Sequence, residues 1–433
     1  MKRIIVIGGG FAGLSASVYL SEKDHKVTLI ESAPKLGGRA YSLLNKKIND
    51  VYDNGQHIMM GCYNDTISFL QKINSLDKIS IQDSLNINFV KKGGEIFKLQ
   101  APKNFYPFNL GYALLNFKAL SIKERFKIID FILDLMCCFS CDLKDKTVQE
   151  WLECKKQSPN SIKSFWQILV VGALNTTIDK ASAEIFHEIL CRIFLDGNNS
   201  ASIVIPNVGL TQVYAEGAAQ YIIERKGKIL LSEKVKHITC KGNKVKEIVT
   251  DKNIYKNFDY VISAIPAQAF EYIICNNSKF KTLQGIPSFN YSPILNVHFW
   301  LKENPFKEKF YGLIDSKIHW LFNHGKHISL TTSAADWSIG LDNSDIMKDF
   351  CFELENYFPI FHSNLIMDYK VLKEKRATFI PDIESNMVRK NFLSKFDNLI
   401  YAGDWTNTEL PSTIESAVLS GRLAAGKVIT ASK

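Results

Sequence analysis

Arg3-Ile4-Ile5-Val6-Ile7-Gly8-Gly9-Gly10-Phe11-Ala12-Gly13 is the stretch that decides the fold. Arg3 to Ile7 reads as a short buried strand. Gly8, Gly10 and Gly13 then form G-x-G-x-x-G around Phe11 and Ala12, and residues 14–21 continue as a small-residue helix. The first glycine permits a tight turn, the second lets backbone approach a pyrophosphate, and the third lets helix and strand pack closely. Free amides at the helix start then face the phosphates. A second strand over 26–30 ends at Glu31, whose carboxylate can accept hydrogen bonds from a ribose and would repel a 2′-phosphate. That selects FAD or NAD over NADP. The apolar run after Lys2 and Arg3 is broken by these glycines too early for a signal peptide.

Two further elements turn the dinucleotide reading toward FAD. Ser32-Ala33-Pro34-Lys35-Leu36-Gly37-Gly38-Arg39 follows Glu31 directly. Its paired glycines let a loop pass close to a cofactor, and Arg39 can place a fixed positive fork near the pyrophosphate or the flavin. A nicotinamide enzyme does not need this element. The far end of the chain adds a strand over 398–402, then Gly403-Asp404-Trp405 and Leu410-Pro411-Ser412-Thr413-Ile414-Glu415. Ser412 and Glu415 have capping-box spacing, so a helix should begin there and run through Ser416, Ala417, Ser420 and Gly421. Its positive end could stabilise negative charge on a reduced flavin. Gly403 offers close backbone approach, and Asp404 could hold the ribityl or diphosphate side.

Together these elements resemble the amine oxidase and phytoene desaturase superfamily of flavoproteins, over nearly the whole chain. Asp53-Asn54-Gly55-Gln56-His57, Gly61-Cys62-Tyr63, Phe165-Trp166, Ala173-Leu174-Asn175-Thr176 and the ending Ala402-Gly403-Asp404-Trp405-Thr406 resemble its squalene-associated branch, the hydroxysqualene dehydroxylases of hopanoid biosynthesis. The resemblance implies an α/β, Rossmann-type FAD-binding domain with an interleaved α+β substrate domain. The cofactor domain would comprise 1–60, 204–286 and 379–433; the substrate domain, 61–203 and 287–378. It implies FAD contacts from Gly8, Gly10, Phe11, Ala12, Gly13, Glu31, Ser32, Gly38, Arg39, Gly55, Gln56, His57, Val235, Ala264, Gly403, Asp404, Ser412, Thr413 and Ile414. Val235 stands where relatives place a residue whose backbone contacts the adenine. Two positions depart from the pattern: Asp24-His25 replaces a glycine common before the second strand, and Ser15 and Ser17 stand where alanine is usual.

Composition excludes other classes. A 433-residue chain with 46% hydrophobic residues can bury more than one domain core. Its charge of +9, from 53 Lys+Arg against 44 Asp+Glu, is spread thinly. That suits a mildly basic surface facing anionic lipid and lacks the dense basic stripe of a nucleic-acid binder. Nine cysteines without a framework fit a reducing compartment. Cys137, Cys138 and Cys141 read as small core residues, because no nearby histidine completes a metal site. No apolar run is long enough to span a bilayer, which predicts a cytoplasmic protein, free or resting on the membrane's inner face.

In the middle of the chain, residues 228–239 and 244–250 read as a hairpin around Gly242-Asn243, and 260–264 as an apolar strand. Residues 121–139 read as an amphipathic helix. Lys123, Lys127, Asp130 and Asp134 share one face; Ile122, Phe126, Ile129, Leu133 and Met136 share the other, facing either the core or a membrane interface. The 28 Phe and 16 Tyr suit an apolar tunnel or an ordinary core.

The branch resemblance implies an isoprenoid alcohol, hydroxysqualene, as substrate. Its allylic hydroxyl would leave and a hydride from reduced flavin would replace it, giving squalene. His57 could protonate the departing hydroxyl or merely orient the 53–56 loop; Tyr63 and Asn175 could position the substrate. A carotenoid-type desaturase and a redox-inactive isoprenoid carrier on the same fold are the alternatives, and the intact glycines and Glu31 argue against the carrier.

Overall fold

The computed structural model describes residues 1–136, 142–275 and 286–431. Cys137, Cys138 and Cys141 therefore lie outside the described residues. Ile4 to Ile7 are all buried, because strand Arg3–Ile7 is central in a five-stranded sheet. It pairs in parallel with Lys26–Ile30 on one side and Tyr260–Ser263 on the other. Lys228–Leu230 extends the first edge and Leu399–Tyr401 the second, again in parallel. A strand covered on both faces needs a continuous apolar run rather than alternation, which is what Ile4–Ile7 supplies. The sheet is thus gathered from the start, middle and end of the chain.

Helix Phe11–Ser21 follows the glycine turn, and the last helix, Ile414–Thr430, lies directly on it. Contact is made at backbone level: a Cβ on Gly421 would sit 2.3 Å from the Ala12 carbonyl oxygen. Ser15 Oγ donates to the Val418 carbonyl at 2.8 Å, and Ser17 Oγ to that of Gly13 at 2.7 Å. The two serines that depart from the family pattern are therefore fully buried yet satisfied. Asp24 holds φ +56°, the left-handed conformation that favours glycine at this position. Its neighbour His25 accepts a hydrogen bond from the Lys2 amide at 3.2 Å through Nδ1.

The expected continuous strand over 228–239 divides in two. Lys228–Leu230 joins the parallel sheet, Ser232 adopts φ +53°, and Val235–Lys241 turns away to pair antiparallel with Lys244–Thr250. Gly242 makes the predicted hairpin turn at φ +57°. A single alternating run cannot signal that its halves serve different sheets.

A seven-stranded mixed sheet forms the other large layer. Tyr291–Leu301 lies between Ile366–Phe379 and His327–Ser333. Trp320–Asn323 and Phe310–Leu313 continue it to a parallel junction with Asn86–Val90, and Ile96–Gln100 is the edge. Helix Asn343–Tyr357 shares one apolar core with this sheet. Helices Asn109–Leu115, Ile122–Met136, Val148–Cys154 and Ala183–Leu195 share another, centred on Phe117, Phe131, Trp166 and Phe186.

Helix Ile122–Met136 buries a different face from the one its pattern predicts. Ile128, Phe131, Ile132 and Leu135 enter the core, whereas Ile122, Phe126 and Leu133 are exposed and Ile129 is half-buried. The helix is apolar over two adjacent stripes, and the neighbouring Phe117, Trp151 and Trp166 engage the second of them.

The contact between the end helices yields a stability prediction. Gly421→Val forces a side chain into the Ala12 carbonyl and should lower stability by about 3 kcal/mol or more. Ser15→Ala should cost only about 1 kcal/mol. Urea unfolding of both variants, followed by circular dichroism, checks the ranking.

Candidate active site

The glycine turn is shaped by close contacts. Gly8 adopts φ +104°, and a Cβ on Gly13 would lie 1.9 Å from the Gly8 carbonyl oxygen. No side chain caps Gly10, so the amides of Phe11, Ala12 and Gly13 point out of the helix without intrahelical acceptors. Such an uncapped N-terminus is suited to a phosphate. Ala264 closes the turn from behind: its amide donates to the Ile7 carbonyl at 2.8 Å, and its own carbonyl would meet a Cβ on Gly8. Phe11 stacks on Tyr214 at 3.5 Å between ring centroids.

Glu31 is buried and holds the turn from the front. One carboxylate oxygen accepts from the Gly9 amide at 2.7 Å; the other accepts from the Ala33 amide at 2.7 Å and Ser32 Oγ at 3.1 Å. The 232–235 segment runs beside it, with the Glu233 amide donating to the Glu31 carbonyl at 2.9 Å. Val235, two residues on, is buried in the same apolar cluster as Ile30, which precedes Glu31.

The second glycine loop lies on the first. The Gly37 amide donates to the Gly9 carbonyl at 2.9 Å, Gly38 adopts φ +58°, and a Cβ on Gly38 would reach 3.0 Å from Gly10 Cα. Only glycine at both places lets the two loops approach this closely. The Tyr214 hydroxyl lies 2.6 and 2.7 Å from the Gly37 and Ala40 carbonyls, so it braces the loop. Asn54 does the same for the Arg39 segment, accepting from the Tyr41 amide and donating to the Arg39 carbonyl.

Arg39 joins the two ends of the chain. Its Nη2 donates to Asp404 Oδ1 at 2.6 Å and its Nη1 to the Ala377 carbonyl at 3.0 Å. Burial opposes both charges, but each outweighs it for the other: Arg39 is held above its usual pKa and Asp404 below the usual carboxylate range. Ser412 also hydrogen-bonds Asp404. Gly403 adopts φ +141° and donates its amide to Ser420 Oγ at 2.8 Å.

The C-terminal helix begins one residue later than the capping-box spacing predicts. Thr413 is the N-cap, accepting from the Ser416 amide at 3.1 Å, because Asp404 engages the Ser412 hydroxyl. Ile414, the first residue of the helix, is half-buried. Glu415 caps a different helix. Its carboxylate accepts from the Asp65 amide at 2.9 Å, the Thr66 amide at 2.8 Å and Thr66 Oγ1 at 2.6 Å, at the start of Asn64–Lys72. Burial still raises its pKa.

The Gly55-Gln56-His57 loop is seated on the seven-stranded sheet. Asn296 Oδ1 accepts from the Gln56 amide at 3.4 Å, and a Cβ on Gly55 would lie 2.9 Å from Asn296 Nδ2. His57 Nε2 is buried without a partner. Burial, then the Arg39 charge, lowers its pKa to about 4. The imidazole is therefore neutral near pH 7 and acts there as a neutral hydrogen-bonding group rather than as an imidazolium.

A cavity runs between the helices from Ile58, just after the 55–57 loop, and from Leu410, Pro411 and Thr413 before the last helix. Its volume is about 190 Å³. Ile58, Leu99, Leu110, Phe165, Ala173 and Phe186 contribute to its largely apolar wall. Its polar groups gather where Tyr63, Arg192, Thr413 and Glu415 meet. The Tyr63 hydroxyl is bonded to Thr413, and burial pushes its pKa up. Asn175 stands apart from this end. Its amide donates to the Ser292 carbonyl and Thr378 Oγ1 and accepts from the Ala334 amide, which fastens a helix end at φ +49° to the sheet. Among the described residues, no group of three His, Cys, Asp and Glu side chains could hold a metal ion.

Several organising residues gave no sequence signal. Arg389 is fully buried and donates to the carbonyls of Asp404, Thr406 and Leu410, which shapes the loop between Asp404 and the last helix. Tyr214 and Asn296 are similar: each serves a loop more than 150 positions away, and no local spacing encodes that.

A family described as flavin containing amine oxidoreductase matches residues 11–429. The hydroxysqualene dehydroxylase of Zymomonas mobilis is 24% identical over 424 residues, covering 97% of each chain. The chloroplastic/chromoplastic 15-cis-phytoene desaturase of Glycine max is 25% identical over 471 residues, covering 98% of this chain and 79% of its own. An oxidoreductase from Methanosarcina mazei has the same fold, with a TM-score of 0.73 at 18% identity over 99% of this chain and 100% of its own. A putrescine oxidase bound to putrescine superposes with a TM-score of 0.70 at 14% identity, covering 99% of each chain.

The depressed histidines predict an acid limb in stability. His57 and His319 both fall from 6.5 to about 4, chiefly through burial. The unfolded chain then takes up protons that the folded one refuses, so stability is full above about pH 6.5 and falls toward pH 4. Each site should contribute roughly 2 kcal/mol after allowance for partial exposure. Urea midpoints at pH 7 and pH 4.5 should converge in His57→Asn relative to the parent.

Proposed function

Because the chain belongs to the family of flavin-containing amine oxidoreductases and is a flavin-dependent oxidoreductase, we propose that it binds FAD and reduces hydroxysqualene to squalene. The observation that carries this reading is the cavity: an apolar channel whose polar end abuts the loops that would hold the isoalloxazine. The hydroxysqualene dehydroxylases among its relatives support the same substrate class.

The residues present fit FAD. The uncapped helix start at Phe11–Gly13 would receive the diphosphate, Glu31 and Val235 the adenosine side, and the 55–57 loop with the 403–414 segment the flavin side. The orphaned His57 Nε2 supplies a free hydrogen-bonding group in that space. We group residues 1–60, 204–286 and 379–433 as the cofactor half and 61–203 with 287–378 as the substrate half.

When bound in reduced form, FAD would supply the hydride equivalent that replaces the allylic hydroxyl, which leaves with a proton as water. The chain's own contribution is threefold. The apolar wall excludes bulk water from a carbon centre that develops positive charge. Tyr63, on the cavity wall, is the hydrogen-bonding group for the departing oxygen, while neutral His57 would orient the flavin-side loop rather than serve as a charged acid. The ion pair of Asp404 with Arg39 leaves neither of these two buried charges isolated.

Desaturation of an isoprenoid in the oxidising direction is the second reading, favoured by the phytoene desaturases at similar identity. Anaerobic incubation of the dithionite-reduced protein with hydroxysqualene, followed by extraction, should yield squalene. Formation of new double bonds from phytoene by the oxidised protein, with no squalene from hydroxysqualene, would instead select the desaturase. Ala113→Trp, which fills the cavity wall, should raise KM at least about tenfold while flavin content stays unchanged.

A further inference from the structure

Helix Asn109–Leu115 separates the cavity from the protein surface. Leu110, Ala113 and Leu114 are buried and line the cavity. On its outer side and in the residues leading into it, Phe105, Phe108, Tyr112 and Leu115 are exposed, Phe108 by 66%. The next helix, Ile122–Met136, continues this pattern. Ile122, Phe126, Ile129 and Leu133 recur at i, i+4, i+7 and i+11, which places them on one stripe. Ile122 and Phe126 are 68% and 59% exposed. Arg125 joins the two helices, donating through Nε to the Leu120 carbonyl at 2.9 Å and through Nη1 to the Leu115 carbonyl at 2.8 Å.

The charges beside this surface leave a basic excess: Lys118, Lys123, Arg125 and Lys127 outnumber the carboxylates of Glu124 and Asp130, and Asp134 pairs with Lys155. Lys118, Lys123 and Lys127 are exposed. Of the acids on the same helix, Glu124 is engaged by Ser121, Ser158 and Asn160. Asp130 is the remaining exposed acid on that helix. Contiguous apolar surface of this kind is rare on soluble monomers unless something covers it. Aromatic and aliphatic residues flanked by lysines match a bilayer interface whose headgroups are anionic.

We infer that the outer faces of helices Asn109–Leu115 and Ile122–Met136 dock on an anionic phospholipid bilayer, placing the wall of the substrate cavity against the membrane. The inference rests on the reading of the cavity as an isoprenoid site, since such a substrate resides in the bilayer. No helix among the described residues is long and apolar enough to cross a membrane, so the contact is with the interface alone.

Co-sedimentation of the flavin-loaded protein with phosphatidylcholine vesicles, with and without phosphatidylglycerol, tests the surface. The protein should pellet with the anionic vesicles and release at high salt. Phe108→Ser/Phe126→Ser should weaken binding at least about tenfold on both lipids through lost apolar insertion. Lys123→Glu/Lys127→Glu should weaken it about tenfold or more on anionic vesicles only. Both variants change exposed positions, and an unchanged melting temperature and flavin spectrum would show that they fold. Turnover of detergent-dispersed substrate should persist in the variants while turnover from vesicles falls. Parent protein that stays in the supernatant with anionic vesicles, or variants that bind as the parent does, would overturn the inference. So would a dimer in solution that Phe126→Ser dissolves without any vesicle binding. Vesicle binding that persists where no isoprenoid is turned over would count against the reaction alone and leave the surface standing.

Discussion

The two ends of the chain must lie against each other at backbone distance. Gly421 passes over the Ala12 carbonyl where no side chain fits, and Ser15 reaches across to Val418. This contact places the Gly403–Thr413 segment beside the Gly8–Gly13 turn, and the ion pair of Arg39 with Asp404 closes it. Every site feature follows from that approach. The glycine turn presents amides, the second glycine loop lies on the first, and the returning tail supplies the opposite wall. A fold that brings residue 404 to residue 39 needs a central strand flanked by strands from distant parts of the chain, which is the order observed in the parallel sheet.

Rigidity here comes from polar groups that serve remote backbone. Arg389 gathers three carbonyls of the 404–410 loop, Tyr214 braces Gly37 and Ala40, and Glu415 caps the helix beginning at Asn64. Each satisfies groups that would otherwise be buried without partners, at a cost of about 1–3 kcal/mol apiece. Such bonds hold loops in one geometry without narrowing the space between them, as a site for an extended cofactor requires. The apolar channel is different. It is walled by residues of several helices and strands, and its polar groups collect at the end nearest the tail. A substrate with little polarity would gain from the wall by burial alone, and only its reacting end would meet hydrogen-bonding groups.

The elements that were legible in the sequence are those whose physics is local. The strand Arg3–Ile7, the glycines that follow and the acid at Glu31 could be read because turn geometry and amide exposure depend on adjacent residues. The Gly242 hairpin was legible for the same reason. The helix over 122–136 was readable as a helix, but not its buried face: both of its apolar stripes satisfy the same periodicity, and only the neighbouring aromatic residues choose between them. The cap of the last helix moved from Ser412 to Thr413 because Asp404, far from helical spacing, engages the serine hydroxyl.

By itself, then, the order of residues determined that a tight glycine turn opens the first helix, that an acid follows it, and that small residues near the tail prepare a close helix contact. Tertiary structure alone decided the partners. It set Arg39 against Asp404, gave Glu415 to another helix, lowered His57 to a neutral imidazole, and turned Ile122 and Phe126 outward. The physical reason is that charge, burial and hydrogen-bond satisfaction depend on what lies within a few ångströms in space, whereas spacing along a chain reports only on its own turn or strand.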